Sequence, residues 1–283
     1  MKKKKKLKLK IKNVLLLFFM ILFIYSLINI LIWLKNSYDT KKQIKSINKT
    51  TKVEIIKNDD NIKYVDEDPD FYHLYKDVEL INVDFKELIK INDETKGWLK
   101  VNGTNINYPF VQGINNDFYL THTYNKKGNG GGWVFMDYRN DPNFKDQNTI
   151  IYGHGREDKT IFGTLGYVLN DGYIDKTENQ FIMTSTPKVN MTWQIFSAYK
   201  IPNTNDYLQI NFSNEKESEK FYKMLKKRNQ INIDIPVNPT DKILTLSTCF
   251  NNDIKIVVHA KLVKYLERWY NTKDFEGGQN ESI

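Results

Sequence analysis

The chain of 283 residues contains one cysteine, Cys249. A single thiol cannot close a disulfide within the chain, so a domain exported from the cytoplasm must be held together by its hydrophobic core. The sequence can supply one, because 40% of its residues are hydrophobic and it has 17 tyrosines and 16 phenylalanines. The unpaired thiol is therefore either a buried structural residue or a reactive group.

Acidic residues are absent from the first 34 positions, which carry eight lysines. Without this segment, 34 basic residues face 34 acidic ones, so the net charge of +8 belongs to the N-terminus and the remaining chain is formally neutral. A neutral body lacks the basic surface that binds DNA or RNA. Nucleic acid is therefore excluded as a partner.

Charge of either sign is also missing from residues 14–34. As a helix, these 21 residues would span about 31 Å, which is enough to cross a bilayer core. Their lysine-rich flank predicts a cytoplasmic N-terminus and an extracellular body, in contact with membrane lipid through this helix alone. A cleaved signal peptide is the alternative, but its hydrophobic region should be shorter and no small-x-small cleavage site follows. The lysine flank also disfavours a buried soluble helix.

These observations divide the chain into five parts. Residues 1–13 form a basic cytoplasmic tail, residues 14–34 a transmembrane anchor, and residues 35–67 a polar stalk. Residues 68–270 form the main folded domain, and residues 271–283 a C-terminal tail.

The domain of residues 68–270 has the pattern of a mainly β fold with flanking helices. About eight short alternating runs are separated by turns rich in Gly, Asn and Asp, which predicts a closed or nearly closed barrel. Helices are expected within residues 69–93, 161–169 and 213–229, the last capped by Ser213.

Two of the predicted strands end in residues that could act together. Residues 242–248 lead into Cys249, and residues 148–153 lead into His154. A thiol becomes a useful nucleophile beside a basic or cationic neighbour, and histidine is the usual one. The pair predicts a cysteine enzyme.

The other three histidines fit structural roles better. His73 and His122 lie in polar surroundings that indicate the surface, and His259 lies in a strand where a packed, hydrogen-bonded side chain is expected. Zinc bound by Cys249, His154 and His259 would match no closed metal motif and would lack a fourth ligand. We therefore expect neither a metal nor another cofactor.

Together these motifs resemble the sortase family, and within it class B. The resemblance covers roughly residues 68–265 and rests on residues 148–154 (NTIIYGH) and 245–249 (TLSTC), on the order helix, strands, His, helix, strand, Cys, strand, and on residues 97–101 (GWLKV), 106–109 (INYP), 111–120 (VQGINNDFYL) and 135–140 (FMDYRN). The N-terminal anchor agrees with it. The scarcity of arginine beside abundant lysine, asparagine and isoleucine also fits a Gram-positive source with an AT-rich genome.

The resemblance implies an eight-stranded barrel and a transpeptidase at the outer face of a Gram-positive membrane. Cys249 would attack the threonine carbonyl of a C-terminal sorting motif in a secreted protein and form a thioester. An amine of the peptidoglycan precursor would then resolve it and attach the protein to the cell wall. His154 would be the general acid and base, and Thr248, Ser247 and Tyr152 would contact the substrate.

One residue departs from the family. Sortases carry an arginine on the strand after the cysteine, and the matching position here is Lys255, which keeps the charge but lacks the planar fork of arginine. Lys255 is thus a working replacement, a bystander or a sign of weakened activity, and we favour the first. The five residues between Cys249 and Lys255 also look few for class B.

Two other functions are open. A surface cysteine protease would use the same thioester and pass the acyl group to water. A catalytically weakened sortase-like module would only bind sorting peptides, and Lys255 is the feature that favours it. In each case we expect specificity to depend on the loops of residues 200–240.

Overall fold

The computed structural model describes residues 2–65, 75–249 and 254–268, and of residues 2–10 and Cys249 it describes the backbone. This part of the chain contains three α-helices: α1 (Lys2–Thr50), α2 (Lys86–Ile91) and α3 (Glu215–Lys227). Its strands are β1 (Val53–Ile56), β2 (Lys63–Tyr64), β3 (Leu80–Val83), β4 (Thr95–Val101), β5 (Asn107–Val111), β6 (Phe135–Met136), β7 (Asn148–His154), β8 (Phe181–Ser185), β9 (Val189–Pro202), β10 (Ile243–Cys249) and β11 (Ile254–Glu267).

Eight of these strands form a closed barrel. Their order is β10-β7-β6-β5-β4-β8-β9-β11, and β11 pairs back onto β10 to close the ring. Two pairs, β10 with β7 and β5 with β6, are parallel and the other pairs are antiparallel. The predicted eight-stranded barrel is confirmed. Closure leaves none of the eight strands with an unpaired edge in the sheet.

The barrel is filled by aromatic and aliphatic side chains. Trp98, Trp133 and Trp193 are each at most 1% exposed. Each indole N–H donates a hydrogen bond, to Asn107 Oδ1 (2.7 Å), Pro109 O (2.9 Å) and Thr184 Oγ1 (2.9 Å) respectively. These bonds let large rings be buried without leaving an unsatisfied donor. The core is therefore sufficient to hold the domain without a disulfide.

The N-terminal helix α1 combines an exposed apolar segment with a docked segment. Every side chain of residues 11–34 is exposed. This is the one described helix that is long and apolar enough to cross a membrane. Residues 35–50, within the predicted stalk, continue the same helix, and Ile44 and Ile47 pack against the barrel core. The helix is therefore consistent with a membrane anchor that joins the catalytic domain directly. The domain boundaries drawn from the sequence stay predictions.

Helix α3 packs on the outside of the barrel. Its buried residues Phe221, Tyr222 and Leu225 join a second hydrophobic cluster with residues of β9, β10 and β11. The predicted capping residue Ser213 is wrong, because the side chain of Asn214 accepts the hydrogen bond from Glu217 N. Ser213 N instead donates to Glu217 Oε2 (2.7 Å). The cap thus lies one residue later than expected, and the Glu217 side chain binds the backbone of the residue before it.

The predicted helices before the barrel and after His154 are only partly right. Within residues 69–93 the structure has a strand, β3, followed by the short helix α2, and residues 66–74 lie outside the described residues. β3 pairs with β1, and its Val83 N donates to Ser185 Oγ (3.3 Å). Tertiary pairing therefore overrides the loosely helical spacing of apolar residues. Within residues 161–169, the helical part is a 3-10 helix at Leu165–Leu169.

Candidate active site

The two predicted catalytic residues end neighbouring strands. β7 and β10 run parallel, and their register pairs Ile243 with Asn148 at one end and Cys249 with His154 at the other. Adjacent strands lie about 4.8 Å apart. The fold thus brings a cysteine and a histidine, 95 residues apart in sequence, next to each other at one end of the barrel.

Lys255 lies near the same end of the barrel. β11 pairs antiparallel with β10, and the last pair of the two strands sets Val257 opposite Ser247. Lys255 and Cys249 each lie two residues beyond this pair, on neighbouring strands. The strand ends thus bring His154, Cys249 and Lys255 to one end of the barrel.

The imidazole of His154 is held in place by a backbone carbonyl and a closely packed glycine. Its Nε2 lies 2.7 Å from Leu120 O. A carbonyl oxygen only accepts hydrogen bonds, so Nε2 carries a proton and Nδ1 is the nitrogen that can gain or lose one. Gly132 lies against the ring with φ at +59°, and a Cβ there would approach His154 Cδ2 to 2.9 Å and Tyr119 O to 2.5 Å. Only glycine fits this position, both by space and by backbone conformation.

An ion pair fixes the loop that follows His154. Arg156 Nε and Nη2 donate to Asp158 Oδ1 (3.1 Å) and Oδ2 (2.6 Å). Burial alone would raise the pKa of Asp158, but hydrogen bonds from Arg156, Ser37 and Thr160 outweigh it and hold that pKa well below its usual range. Asp158 is therefore an ionised carboxylate throughout the neutral range. The guanidinium of Arg156 is committed to it.

Lys255 contacts the wall of the cleft. Its Nζ lies 5.9 Å from the centre of the Tyr207 ring. Tyr207 is fully buried, and its hydroxyl lies 2.9 Å from Ser247 Oγ. A cation over an aromatic face is attracted by the ring quadrupole. Tyr207 thereby links the loop after β9 to β10 and supports the ammonium group of Lys255.

The three predicted substrate contacts lie in the wall beneath the cleft. Thr248 Oγ1 accepts from Ile256 N (2.9 Å), and Ser247 pairs with Tyr207 as described. Tyr152 donates from its hydroxyl to Asp137 Oδ2 (2.9 Å). All three are less than a tenth exposed. Their direct contact with substrate stays a prediction.

Two cavities border the end of β7. One, of about 440 Å³, is lined by Asn116, Arg139, Tyr152, Asn205, Asp206, Leu208 and Gln209. The other, of about 580 Å³, contains His154 and is bounded by Asn29, Ile32, Trp33 and Asn36 of α1 together with Leu120, Thr121, Gly130, Gly131, Gly155, Arg156 and Glu157. The first cavity thus reaches β7 at Tyr152 and the second at His154.

His259 is a structural residue, as its strand position indicates. It is fully buried, with Nε2 2.9 Å from the Tyr199 hydroxyl and Nδ1 2.9 Å from Thr245 Oγ1. Burial, with a smaller effect of the Arg228 charge, lowers the pKa of His259 to about 3. It is therefore uncharged near neutral pH, where a catalytic histidine has to exchange a proton. His122 stacks on Phe118 at 3.9 Å between ring centres, and His73 lies outside the described residues.

Within the ranges that the structure describes, no group of three or more His, Cys, Asp or Glu residues could hold a metal ion. Four features of the site were not predicted from the sequence: the carbonyl of Leu120, the glycine behind the imidazole, the ion pair at Asp158 and the tyrosine beneath Lys255. The carbonyl has no sequence signal. The Arg-x-Asp spacing directly after His154 was visible in the sequence and could have suggested the ion pair.

Comparison with known proteins gives one consistent result. Residues 99–263 match the family model described as Sortase domain. Sortase B of Staphylococcus aureus (strain NCTC 8325 / PS 47) is 35% identical over 193 residues, which cover 67% of this chain and 78% of that protein. A crystal structure of Sortase B complexed with triglycine is 35% identical with a TM-score of 0.60, covering 64% of this chain and 85% of that one. Sortase B from B. anthracis in complex with AAEK1 has a TM-score of 0.65 at 29% identity, over 82% and 99%.

Proposed function

Since this chain belongs to the sortase family of cysteine transpeptidases, and within it to class B, we propose that Cys249 and His154 are its catalytic pair. The enzyme would cleave a C-terminal sorting motif of secreted proteins after threonine and transfer them to an amine of the cell-wall peptidoglycan. The single observation that carries this assignment is the parallel register of β7 and β10, which sets Cys249 opposite His154.

The first half of the reaction forms an acyl-enzyme. The thiolate of Cys249 attacks the threonine carbonyl carbon, and the C–N bond to the next residue breaks. His154 donates a proton to the leaving amine, and its Nδ1 is suited to this because Nε2 is hydrogen-bonded to Leu120 O. Lys255 would stabilise the negative charge that develops on the carbonyl oxygen, because its ammonium group lies beside Tyr207, which contacts Ser247 near the end of β10.

The second half transfers the acyl group. An amine attacks the thioester, His154 takes the proton from the attacking nitrogen, and the thiolate of Cys249 leaves as the amide forms. One structure of Sortase B contains triglycine, which supports an amine-bearing peptide as the acceptor here. Neither half consumes an oxidant or needs a metal ion as a co-reactant.

We expect the reaction to take place at the outer face of the cytoplasmic membrane. Helix α1 carries the apolar segment, and its continuation packs on the barrel. The eight lysines before it favour a cytoplasmic N-terminus, which would put the catalytic domain outside. Secreted substrates and the lipid-linked wall precursor both occur on that side.

Two alternatives use the same site. In a surface cysteine protease, water would resolve the thioester. In a weakened sortase-like module, sorting peptides would bind without forming an adduct, because Lys255 stands where the family has arginine. The alternatives therefore differ from the transpeptidase in what becomes of the acyl group.

The decisive test is the mass of the intact protein after incubation with a substrate pool. Full-length protein in detergent micelles is mixed with candidate sorting peptides, with and without triglycine. We expect an acyl adduct on the wild type, and its conversion by triglycine into an amide product. Cys249→Ala should form no adduct, and His154→Ala should accumulate it at least 100-fold more slowly, as expected for the loss of a general acid.

Each other outcome selects an alternative. An adduct that disappears at the same rate with and without triglycine indicates the protease. A folded protein whose thiol remains free in the presence of every peptide contradicts both enzymes and supports the binding module. An adduct on Cys249→Ala would show that the nucleophile is a different residue.

A further inference from the structure

The cavity of about 580 Å³ beside His154 has one wall that is made by the anchor helix. Asn29, Ile32, Trp33 and Asn36 of α1 line it at spacings of three and four residues, so they share one face of the helix. Trp33 belongs to the apolar segment of α1. The cavity therefore lies between the end of the anchor and the catalytic histidine.

The helix is hydrogen-bonded to the loop that forms the opposite wall. Asn129 is 6% exposed, and its Nδ2 donates to Asn36 O (3.1 Å) and to Thr40 Oγ1 (3.4 Å). The backbone N–H of Asn129 donates to Thr121 O (2.8 Å), and its Oδ1 accepts from Gly131 N (2.8 Å). Both of these loop residues line the cavity. One buried amide therefore holds the two walls at a fixed separation.

The uncompensated charge in this cavity is negative. Besides His154, its ionisable side chains are those of Arg156 and Glu157. Arg156 is neutralised by Asp158, with 2.6 Å between Nη2 and Oδ2. Glu157 is exposed, and none of the ion pairs among the described residues involves it. The Glu157 carboxylate is thus available to a cationic ligand.

The cavity that reaches β7 at Tyr152 differs in this respect. Its charged lining residues are Arg139 and Asp206, and each has a partner of opposite charge. Arg139 pairs with Asp137, and Asp206 pairs with Arg228. A cationic ligand is therefore attracted to the cavity at Glu157 more than to the cavity at Tyr152.

Of the two substrates of the proposed reaction, the acceptor is the one that is cationic at its reacting end. A peptide α-amino group has a pKa of about 8, so it is mostly an ammonium ion at neutral pH. The bond that breaks in the sorting motif is an uncharged amide. We propose that the cavity between α1 and His154 binds the acceptor amine, and that the Glu157 carboxylate attracts its ammonium group. The inference rests on the proposed function, in which His154 deprotonates the attacking nitrogen.

Binding at this place leads into the transfer step. The bound ammonium ion loses one proton to solvent, and the neutral amine attacks the carbonyl carbon of the thioester. As the C–N bond forms and the C–S bond breaks, His154 takes the second proton and Cys249 leaves as the thiolate. The cavity raises the local concentration of amine beside the imidazole, which favours transfer over hydrolysis.

The test uses two substitutions in the cavity and a matched control for each, in full-length protein in micelles. Gly130→Leu narrows the cavity, and a Cβ at this position meets Asn36 Nδ2 at 3.6 Å without a clash. Gly128→Leu is its control, because a Cβ there meets no atom within 4 Å. Glu157→Gln removes the charge, and its control is Glu178→Gln, at an exposed glutamate outside the cavity.

Three quantities separate acceptor binding from the rest of the reaction. They are the rate of acyl-enzyme formation, the KM for triglycine, and the rate at which hydroxylamine cleaves the thioester. Hydroxylamine is small and mostly uncharged at neutral pH, so it needs no site for an ammonium group. A variant that forms the acyl-enzyme at the wild-type rate is also correctly folded.

We expect Glu157→Gln to raise the KM for triglycine about threefold, as for the loss of one exposed charge pair. Gly130→Leu should raise it about tenfold, because the added side chain takes up space that the acceptor needs. In both variants the rates of acylation and of cleavage by hydroxylamine should change by less than about twofold, and both controls should match the wild type. An unchanged KM in either variant would overturn the inference. So would an equal loss in acylation, which would assign the cavity to the sorting peptide. A wild type that forms no adduct would instead contradict the proposed function.

Discussion

Lys255 shows how strongly a residue's meaning depends on register. In the sequence it is a lysine six positions after the cysteine, with three open interpretations. In the structure it lies near the start of β11, two residues before Val257, which pairs with Ser247 on β10, and its Nζ lies over the ring of Tyr207. Its partner on the other neighbouring strand is Ile201. A cation at this end of the barrel, supported by an aromatic ring, is suited to stabilise a developing oxyanion.

The substitution Lys255→Ala should therefore reduce the rate of acyl-enzyme formation about 100-fold, the usual cost of removing one donor from an oxyanion site. Lys255→Arg should keep at least the wild-type rate, because the charge remains and the planar fork can bind the oxygen with two N–H groups. Rates would be measured by single-turnover mass spectrometry with a peptide that forms the adduct.

Lys200 provides the matched control for this comparison. It is an exposed lysine on β9 that pairs with Ile256 of β11, and the next residue on β9, Ile201, pairs with Lys255. Lys200→Ala removes a positive charge from the neighbouring strand and leaves Lys255 in place, so it should leave the rate of acyl-enzyme formation unchanged. If Lys255→Ala acylates within twofold of the wild type, Lys255 is a bystander.

At the scale of elements, strands were easier to predict than the segments between them. The runs ending in Cys249 and His154 were visible because β-rich sequences with a sharp end carry a local signal. The sequence predicts helix where the strand β3 lies, because the four residues of β3 are held by hydrogen bonds to β1 and no sequence pattern links the two strands. The register between β7 and β10 was likewise hidden, since pairing depends on partners 95 residues apart.

The three strands β9, β10 and β11 are joined beneath the site by His259. Tyr199 from β9 and Thr245 from β10 bind its two ring nitrogens. Thr245 Oγ1 donates to Asn148 Oδ1 (2.7 Å) at the start of β7, so the network spans four strands. Burial lowers the pKa of His259 from 6.5 to about 3. The unfolded chain therefore binds a proton in a pH range where the folded chain does not.

The sign of the resulting pH dependence follows directly. Between pH 6.5 and pH 3 the unfolded state holds more protons at this site, so the free energy of unfolding falls as the pH falls. From pH 7 to pH 5 the loss attributable to His259 is about 2 kcal/mol. Glutamine does not titrate. Between pH 7 and pH 5, the free energy of unfolding of His259→Gln should therefore fall by about 2 kcal/mol less than that of the wild type.

Urea unfolding of both proteins in micelles at pH 7 and pH 5 would measure the difference. His122→Gln, a half-exposed histidine stacked on Phe118, is the matched control and should behave as the wild type. Equal losses for the wild type and His259→Gln would show that the buried imidazole takes up a proton without unfolding.

At the scale of the whole molecule, the distribution of charge separates the chain into a basic tail and a neutral body. Composition and the hydropathy of residues 14–34 suggested a membrane anchor from the sequence alone, because this signal is local and strong. What no local signal could give is the docking of the same helix against the loops of the site. That arrangement depends on buried amide and hydroxyl groups, Asn129 and Thr40 among them, which read in the sequence as ordinary surface residues.

The orientation of the anchor depends on a difference in lysine content across the apolar segment. Eight lysines precede it, and five follow within residues 35–50: Lys35, Lys41, Lys42, Lys45 and Lys49. Orientation follows the flank with more positive charge, which stays in the cytoplasm. The excess is only three residues. Replacing the eight N-terminal lysines by glutamine should therefore reverse the balance and invert a large share of the molecules.

Cysteine labelling in intact cells can measure this, because Cys249 is the only native thiol. In a Cys249→Ala background, Ser46→Cys reports the side of the catalytic domain and Leu7→Cys the side of the tail. With the native lysines, an impermeant maleimide should label the chain with Ser46→Cys and spare the chain with Leu7→Cys, and the glutamine-substituted tail should shift labelling toward Leu7→Cys. Labelling of Leu7→Cys alone with the native lysines in place would put the catalytic domain in the cytoplasm, where neither secreted proteins nor a cell-wall acceptor could reach it.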